Sequence, residues 1–450
     1  MDAADGSSPI FSDNENLSPF WQSGKAALIV LFLALGLRLF SLGWPPFYIG
    51  IEELHTPSSL NYVNSGHFDP DNDYSSPFRK LFQYPLLKLL GDTATARRLP
   101  NAIFGALTAF FLVLLGRQLF KNGRIGVVAG FILATDPFHI NFSRTTWEDV
   151  GAAMFLTAGL YLFAKALNQT EPDRYLTSLI AAGAVMSLAF ATRRYVALPL
   201  LAIIILCVWR ERQGPPAIRG QNFSRRLVFF LAIFGLLPFI AYFLTFYPWF
   251  ARGYSLTEWI SFQQYMVTRE MVGVGAELSG FAKLYGHSYH AIDWFTKVVV
   301  FGFQMPVGLT LTSTVMIINN PFSWLLVWPS TALLVFYWRR TRSFGLIFAL
   351  TCFFLLYLPF VVAKRQILIY SALPVLPTVF LILAIALEFA LSRRRRIFRI
   401  GGAALLTAVL VTNLIFYPLA ASIPLPKSWS AWLPFKSALM KPDELFRPNL

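Results

Sequence analysis

"LPNAIFGALTAFFLVLLGRQL", residues 99–119, contains a single charged residue, Arg117, and is long enough to cross a bilayer as a helix. Apolar runs of about 18–22 residues recur along the chain. Of the 450 residues, 56% are hydrophobic and 14% are charged. Soluble globular domains have a charged share of about a quarter. The sequence therefore predicts an all-α polytopic membrane protein.

We predict about 11 membrane-spanning helices from these runs. Three arginine clusters, at 210–226, 339–342 and 393–399, fall on one side if the N-terminus is cytoplasmic. Residues 298–318 are also apolar, but a full crossing there would move one cluster to the outer side. We therefore expect this segment to be re-entrant or surface-lying, with a break near Pro306. The predicted spans are 27–44, 99–119, 125–142, 150–167, 177–192, 195–210, 227–247, 322–338, 344–363, 370–390 and 401–420.

These spans divide the chain into a disordered cytoplasmic tail, 1–26, a transmembrane domain, 27–420, and an outer tail, 421–450. Two large outer loops, 45–98 and 248–321, are expected to carry short amphipathic helices. No cleavable signal peptide is predicted, because the first apolar run lacks a small-residue cleavage site. We assign the net charge of +15 to cytoplasmic loops and anionic headgroups of the plasma or inner membrane, and predict no nucleic-acid partner.

Charged residues recur where the predicted outer loops meet the membrane, and charges there are costly and often functional. Glu52 and Glu53 open the first loop, in "YIGIEELHTP", 48–57. One ligand would account for the set, a lipid whose phosphate lies at the headgroup level. Lys and Arg would bind that phosphate, and a carboxylate would act as general base on a hydroxyl beside it. The cations at these corners are Lys88, Arg97, Arg98, Arg144, Arg193, Arg194 and Arg365.

Several of these cations also have a structural interpretation. Lys88, Arg97 and Arg98 could anchor the ends of spans in the headgroups. Arg144 could bind the phosphate or pair with Glu148, one helical turn further on. Lys88 ends the segment "YPLLK", 84–88, and phosphate binding is the favoured interpretation for it. Both interpretations of Arg144 stay open.

The remaining candidates complete the site prediction. We favour one of Arg193 and Arg194 for the phosphate, because neither can lie far from the membrane. His287 and His290, three residues apart and near Asp293, could bind a metal. An aromatic surface is the preferred interpretation of that segment, and no metal site is predicted. The candidates for acceptor-binding or auxiliary roles are His55, Tyr84, Arg98 and Arg365.

The order of the motifs resembles a known family. After the acidic pair come "YPLLK" (84–88), "ARRLPNAIFG" (96–105), "HINFSR" (139–144) and "AFATRR" (189–194). This order is similar to that of the lipid-carrier-dependent glycosyltransferases of the GT-C fold, which include protein O-mannosyltransferases and bacterial aminoarabinose transferases of lipid A. The resemblance covers most of residues 27–420. Two departures are Glu52, where the family usually has Asp, and Leu86 in place of a second Pro.

The resemblance implies an enzyme that transfers a sugar, a mannose-like hexose or a pentose, from a polyprenyl-phosphate donor to an acceptor hydroxyl with inversion. Glu52 would be the base, and Glu53 would orient the acceptor or hold the base in place. Lys88 with Arg193 or Arg194 would bind the phosphate. The acceptor would be a protein, a lipid or a glycan at the outer face, and no cofactor would be required.

Two other functions are compatible with cations at the membrane boundary. A transporter or flippase for polyprenyl-linked lipids or oligosaccharides would place its site near the bilayer midplane, where this sequence has few charges. A non-catalytic relative that only binds the carrier lipid is also possible, since Glu52 departs from the usual Asp.

Overall fold

The computed structural model describes residues 19–49, 51–65, 77–213, 223–272, 290–363, 367–431 and 439–440. Most of this part of the chain is helical. The helices up to the second large loop are α1 Pro19–Gln22, α2 Gly24–Leu39, α3 Glu52–Ser65, α4 Phe78–Leu90, α5 Ala94–Phe120, α6 Gly123–Thr135, α7 Pro137–Ser143, α8 Glu148–Leu167, α9 Pro172–Thr192, α10 Ala197–Gln213, α11 Phe223–Leu231, α12 Leu237–Leu244, α13 Tyr247–Phe250 and α14 Leu256–Val272.

The second half continues the helical bundle and adds a small sheet. Its helices are α15 Pro321–Trp324, α16 Val327–Thr341, α17 Phe344–Val362, α18 Leu376–Leu391, α19 Arg396–Ala420 and α20 Lys427–Ala431. Its strands are β1 Val300–Val307, β2 Leu311–Ile318, β3 Leu425–Pro426 and β4 Leu439–Met440. Short 3₁₀ turns lie at Arg194–Val196, Ala291–Phe295 and Ile369–Ala372, and a π-helical segment at Ala232–Leu236 joins α11 to α12.

Within the described ranges, six helices are long and apolar enough to cross a membrane, or up to seven if one bent pair counts as a span. The count of about 11 spans is not confirmed. Helices α2 and α16, for example, have 16 and 15 residues. At 1.5 Å per residue such helices reach about 24 Å, less than the roughly 30 Å hydrocarbon core. The six are Ala94–Phe120, Glu148–Leu167, Pro172–Thr192, Leu227–Leu244, Phe344–Val362 and Arg396–Ala420.

The bent pair is α6 and α7, which correspond to the predicted span 125–142. The two helices meet at 61°. Pro137 occupies the start of α7, and the Asp136 carboxylate caps that helix by accepting from the His139 amide at 2.8 Å. A proline that begins a new helix and a capping carboxylate both favour the break.

Helix α5 positions two arginines of the candidate site. Its 27 residues give it a length of about 40 Å. Helix α6 packs closely along it, since a Cβ atom on Gly126 would overlap the carbonyl oxygen of Val113. Arg97 and Arg98 lie in the first turns of α5, and Asn122 follows its other end. The helix therefore defines two ends of the bundle.

Residues 298–318 form an antiparallel hairpin, so the prediction that they do not cross as a helix agrees with the structure. The chain turns at Gly308, whose φ of +64° suits glycine, and not at Pro306. Pro306 is tolerated in β1 because β4 pairs with that strand only at Gly302 and Phe303. The sheet order is β3-β2-β1-β4, so strands from the predicted outer tail complete it. The sequence indicated helices alone, and this sheet was not predicted.

Candidate active site

Glu52 is the first residue of α3 and its side chain is fully buried. Arg98 binds both carboxylate oxygens, with Nε at 2.8 Å from Oε1 and Nη2 at 3.0 Å from Oε2. The Ile49 amide also donates to Oε2, at 3.0 Å. Arg97 Nε lies 4.0 Å from the same oxygen. A buried carboxylate requires such pairing, because an uncompensated charge in the interior is very unfavourable.

Arg98 organises the segment between α2 and α3. Its remaining donors bind the carbonyl oxygens of Leu42, Pro45 and Phe47 at 2.8–3.2 Å. With the two bonds to Glu52, all five N–H donors of the guanidinium have an acceptor. Arg98 therefore fixes both the loop that enters α3 and the carboxylate at its first turn.

Glu53, the neighbour of Glu52, has the opposite environment. Its side chain is exposed, and no described residue donates a hydrogen bond to it. Partial desolvation raises the pKa of the Glu53 carboxyl above its usual value. Glu52 is thus buried and accepts three hydrogen bonds. Its neighbour Glu53 is exposed and has a raised pKa.

A second group of charges lies where α8 begins. Glu148 and Asp149 are buried. Arg193 donates to Asp149 Oδ2 at 2.8 Å and has its Nε 3.5 Å from Glu148 Oε2. Tyr195 donates its hydroxyl to Asp149 Oδ1 at 2.6 Å, and Arg79 Nε lies 3.2 Å from Glu148 Oε1. Two carboxylates thus hold two arginines and a tyrosine in place.

His55 contacts the chain segments on which both groups are built. Its Nδ1 donates to the Thr146 carbonyl at 3.1 Å, two residues before Glu148. Its own carbonyl accepts from Arg79 Nη1 at 3.3 Å. Arg79 also donates to Ser59 and Gln83 at 2.8 and 2.7 Å. The predicted auxiliary residue His55 therefore links α3 to α4 and to the start of α8.

The predicted phosphate ligands fall into different environments. Lys88 is exposed near the end of α4, with its Nζ 5.7 Å from the ring centroid of Tyr84, another predicted auxiliary residue. Arg194 is half-buried and donates to the neutral amide oxygen of Gln263 at 3.3 Å. Arg193 is neutralised by the carboxylates of Glu148 and Asp149 described above.

Arg144 has a structural position in this conformation. It is buried and donates to the carbonyl oxygens of Arg38, Phe40, Ser41 and Ala421 at 2.7–3.0 Å. It therefore ties the end of α2 to the end of α19. The sequence alternative of an ion pair with Glu148 is wrong, because Arg79 and Arg193 take that carboxylate.

The other candidates do not join these groups. Arg365 and His287 lie outside the described residues. His290 precedes a 3₁₀ turn, and Asp293 pairs with Lys297 at 3.0 Å. Among the described residues, no group of three or more His, Cys, Asp or Glu side chains is suited to hold a metal.

Sequence reasoning missed Arg79 and Gln83 as parts of the site. Both lie on α4 four residues apart, so they share one helix face. The signal was weak but present: in "FRKLFQYPLLKLL", an arginine and a glutamine recur at helical spacing on a segment otherwise rich in apolar residues.

The family model of dolichyl-phosphate-mannose-protein mannosyltransferases matches residues 75–244. This range includes Lys88, Arg98, Arg144 and Arg193 but not the acidic pair. Undecaprenyl phosphate-alpha-4-amino-4-deoxy-L-arabinose arabinosyl transferase 2 of Proteus mirabilis is 22% identical over 366 residues, 77% of this chain and 56% of that protein. A polyprenol-phosphate-mannose–protein mannosyltransferase of Mycolicibacterium smegmatis is 22% identical over 195 residues, 38% of each chain. The chain thus spans about half or less of these curated relatives.

The fold agrees with a solved structure of the same group. The S. cerevisiae protein O-mannosyltransferase Pmt1-Pmt2 complex bound to the sugar donor matches with a TM-score of 0.74 at 13% identity. The match covers 91% of this chain and 92% of that chain. The chain therefore resembles the lipid-carrier-dependent glycosyltransferases in sequence, and it is a polytopic membrane protein of the GT-C fold.

Proposed function

We propose that the protein is a membrane glycosyltransferase that moves a sugar from a polyprenyl phosphate to an acceptor hydroxyl. The observation that carries the proposal is the acidic pair at the start of α3, in which Arg98 fixes Glu52 while Glu53 stays exposed. The relatives named above act with polyprenyl-phosphate or dolichyl-phosphate sugars, which supports the same donor class here.

The reaction needs a base, an electrophilic carbon and a leaving group. The acceptor hydroxyl gives its proton to a carboxylate while its oxygen forms a bond to the anomeric carbon. The bond from that carbon to the phosphate oxygen breaks, and the polyprenyl phosphate leaves with the electron pair. Attack from the face opposite the phosphate inverts the anomeric carbon.

The geometry favours Glu53 as the proton acceptor. A general base must reach the acceptor and be deprotonated near the working pH. Glu53 is exposed, has no donor among the described residues and has a raised pKa. Both oxygens of Glu52 already accept hydrogen bonds from Arg98, and the side chain is fully buried. In this assignment Glu52 is a positioning residue, which reverses the two roles that the family pattern implies.

Lys88 is the best candidate for the donor phosphate. Its side chain is exposed, whereas that of Arg194 is half-buried and donates to Gln263 at 3.3 Å. The charge of Arg193 is balanced by Asp149 and Glu148, and Arg144 donates to four backbone carbonyls. A cation that is already neutralised or saturated gains little from a phosphate.

The proposed partners follow from this chemistry. The donor enters from the bilayer, and the acceptor is a hydroxyl on a protein, a lipid or a glycan at the outer face. Because cationic side chains can stabilise the leaving phosphate, the proposed reaction requires no metal or other cofactor. The sugar is a mannose-like hexose or a pentose, as in the relatives.

The proposal is tested with the purified full chain in detergent. Polyprenyl-phosphate mannose and undecaprenyl-phosphate aminoarabinose are supplied separately, and release of the free carrier phosphate is followed. We expect release from at least one donor, and none from nucleotide sugars. Turnover of a nucleotide sugar in the absence of carrier lipid would contradict the proposal. A lack of carrier-phosphate release from both donors would contradict it as well.

A further inference from the structure

A cleft lies at the end of the bundle opposite the acidic pair. The side chain of Asn122, which follows the far end of α5, donates to Glu388 Oε1 at 3.2 Å. Glu388 lies in the last turn of α18, and the residues that follow it line the cleft. Since α5 is about 40 Å long, the cleft is separated from Arg98 by roughly the thickness of a membrane.

The cleft has an apolar wall formed by three helices. Its cavity volume is about 700 Å³, within the range of ligand sites. Leu333 and Tyr337 come from α16, Ala386 and Phe389 from α18, and Phe398 from α19. Tyr337 and Phe389 stack with their ring centroids 4.5 Å apart. Such a surface suits a hydrocarbon chain.

The rim of the cleft is strongly cationic. Arg393, Arg394 and Arg395 line it and are exposed. Within the part of the chain that the structure describes, none of the three pairs with a carboxylate. Glu388, nearby in sequence, accepts from Asn122 and from Ser392. The Arg393 guanidinium lies 5.6 Å from the Tyr337 ring centroid, where charge and apolar wall meet.

We propose that this cleft binds one anionic phospholipid, with the phosphate on the three arginines and an acyl chain along the apolar wall. Arginine forms bidentate hydrogen bonds with phosphate oxygens. The 25-residue helix α19 begins beside them and directs its N-terminal dipole to the same place. A small soluble anion would leave the apolar wall uncovered. The site is separate from the proposed sugar-donor site, which lies at the other end of α5.

The test measures lipid binding to the full chain in detergent by native mass spectrometry. The probes are palmitoyl-oleoyl phosphatidylglycerol and phosphatidylcholine, which share acyl chains but differ in net charge. The variant R393A/R394A/R395A removes the rim. The matched control R339A/R340A/R342A removes the same charge from the end of α16 without touching the cleft lining. A third variant, Ala386→Phe, narrows the cleft at its apolar wall and keeps every arginine.

We expect phosphatidylglycerol to bind in preference to phosphatidylcholine, and the rim variant to weaken it roughly 100-fold. The control should change affinity by about twofold or less, and Ala386→Phe should weaken binding about tenfold. Equal losses in both triple variants would indicate general charge attraction and overturn the site. Full binding by Ala386→Phe, or no preference for the anionic lipid, would also overturn it.

Discussion

Charged side chains at the two ends of α5 differ in burial and in pairing. At the acidic-pair end, Glu52, Arg98 and Asp149 are buried, and each has an oppositely charged partner. At the other end, Arg393 and Arg394 are exposed and have no carboxylate partner in the described structure. Buried charges must be paired to be tolerated, whereas exposed ones need not be. Substitutions of the buried, paired charges at the first end therefore test fold and chemistry together, whereas substitutions of the exposed arginines at the second end test binding alone.

The largest effect is expected from Arg98→Ala. The substitution leaves Glu52 buried without its bidentate partner and frees three carbonyls of the loop before α3. Breaking a buried ion pair typically costs about 3–5 kcal/mol. We expect a large fall in the thermal midpoint, measured in detergent, together with loss of donor turnover.

Arg339→Ala is the matched control, because Arg339 is exposed at the end of α16. Its midpoint should change little. The double variant Glu52→Gln/Arg98→Met removes both charges, and should regain part of the stability lost in Arg98→Ala. Equal midpoints for Arg98→Ala and Arg339→Ala would mean that the two ends of α5 do not differ as described.

The second effect separates the two adjacent acids. Glu53→Gln should lower turnover by about 10²–10⁴-fold, as expected for loss of a positioned base, and leave the thermal midpoint nearly unchanged because the side chain is exposed. Glu52→Gln should lower both, since the amide cannot pair with Arg98 as an anion does. If Glu53→Gln keeps near-normal turnover and Glu52→Gln loses it at unchanged stability, Glu52 is the base.

The pH dependence of turnover gives an independent check on the base. The base must be deprotonated to accept a proton, so the rate falls as the pH drops through its pKa. Because partial desolvation raises the pKa of Glu53, the acid limb of kcat/KM should lie above the usual glutamate value of 4.5. An acid limb at or below that value would argue against Glu53.

The smallest effect is expected from Lys88→Ala. Lys88 is exposed, so its removal should not change the thermal midpoint. It should raise the KM for the polyprenyl-phosphate donor by about tenfold through loss of one charge-assisted contact. Lys165→Ala, an exposed lysine in the last turn of α8, is the control. An unchanged KM for Lys88→Ala would remove Lys88 from the phosphate site.

The sequence predicted the membrane fold, because composition and motif order carry that information directly. It also predicted that cations would lie near Glu52 and Glu53, and Arg98 does. Arg98 and Glu52 lie in motifs at the two sides of one loop, and the structure brings them together. The ion pair between them was not predicted, since residues 46 positions apart meet only through the path of α3 and α5. The assignment of Arg193 and Arg194 to the phosphate stays a prediction.

Other features depended on contacts that no local pattern records. The role of Arg144 is set by carbonyls from α2 and from Ala421, almost 280 residues away in the chain. The strands at 300–318 are composed of apolar residues that also suit a span. Strand pairing distinguishes the two, mainly of β1 with β2 and in addition with β3 and β4. The predicted number of spans stays unconfirmed, because apolar runs such as 322–338 form helices shorter than a bilayer in the described part of the chain.

The small sheet has a consequence for how the chain is made. Its hairpin is complete at Ile318, but its two outer strands come from Leu425–Pro426 and Leu439–Met440. Five helices, α15 to α19, must therefore be synthesised before the hairpin edges are covered. A nascent chain stalled after Ala420 would contain all of the apolar spans and still present open strand edges to chaperones and proteases. Because β3 and β4 follow α19 in the chain, the sheet is completed only after the helical bundle has been synthesised.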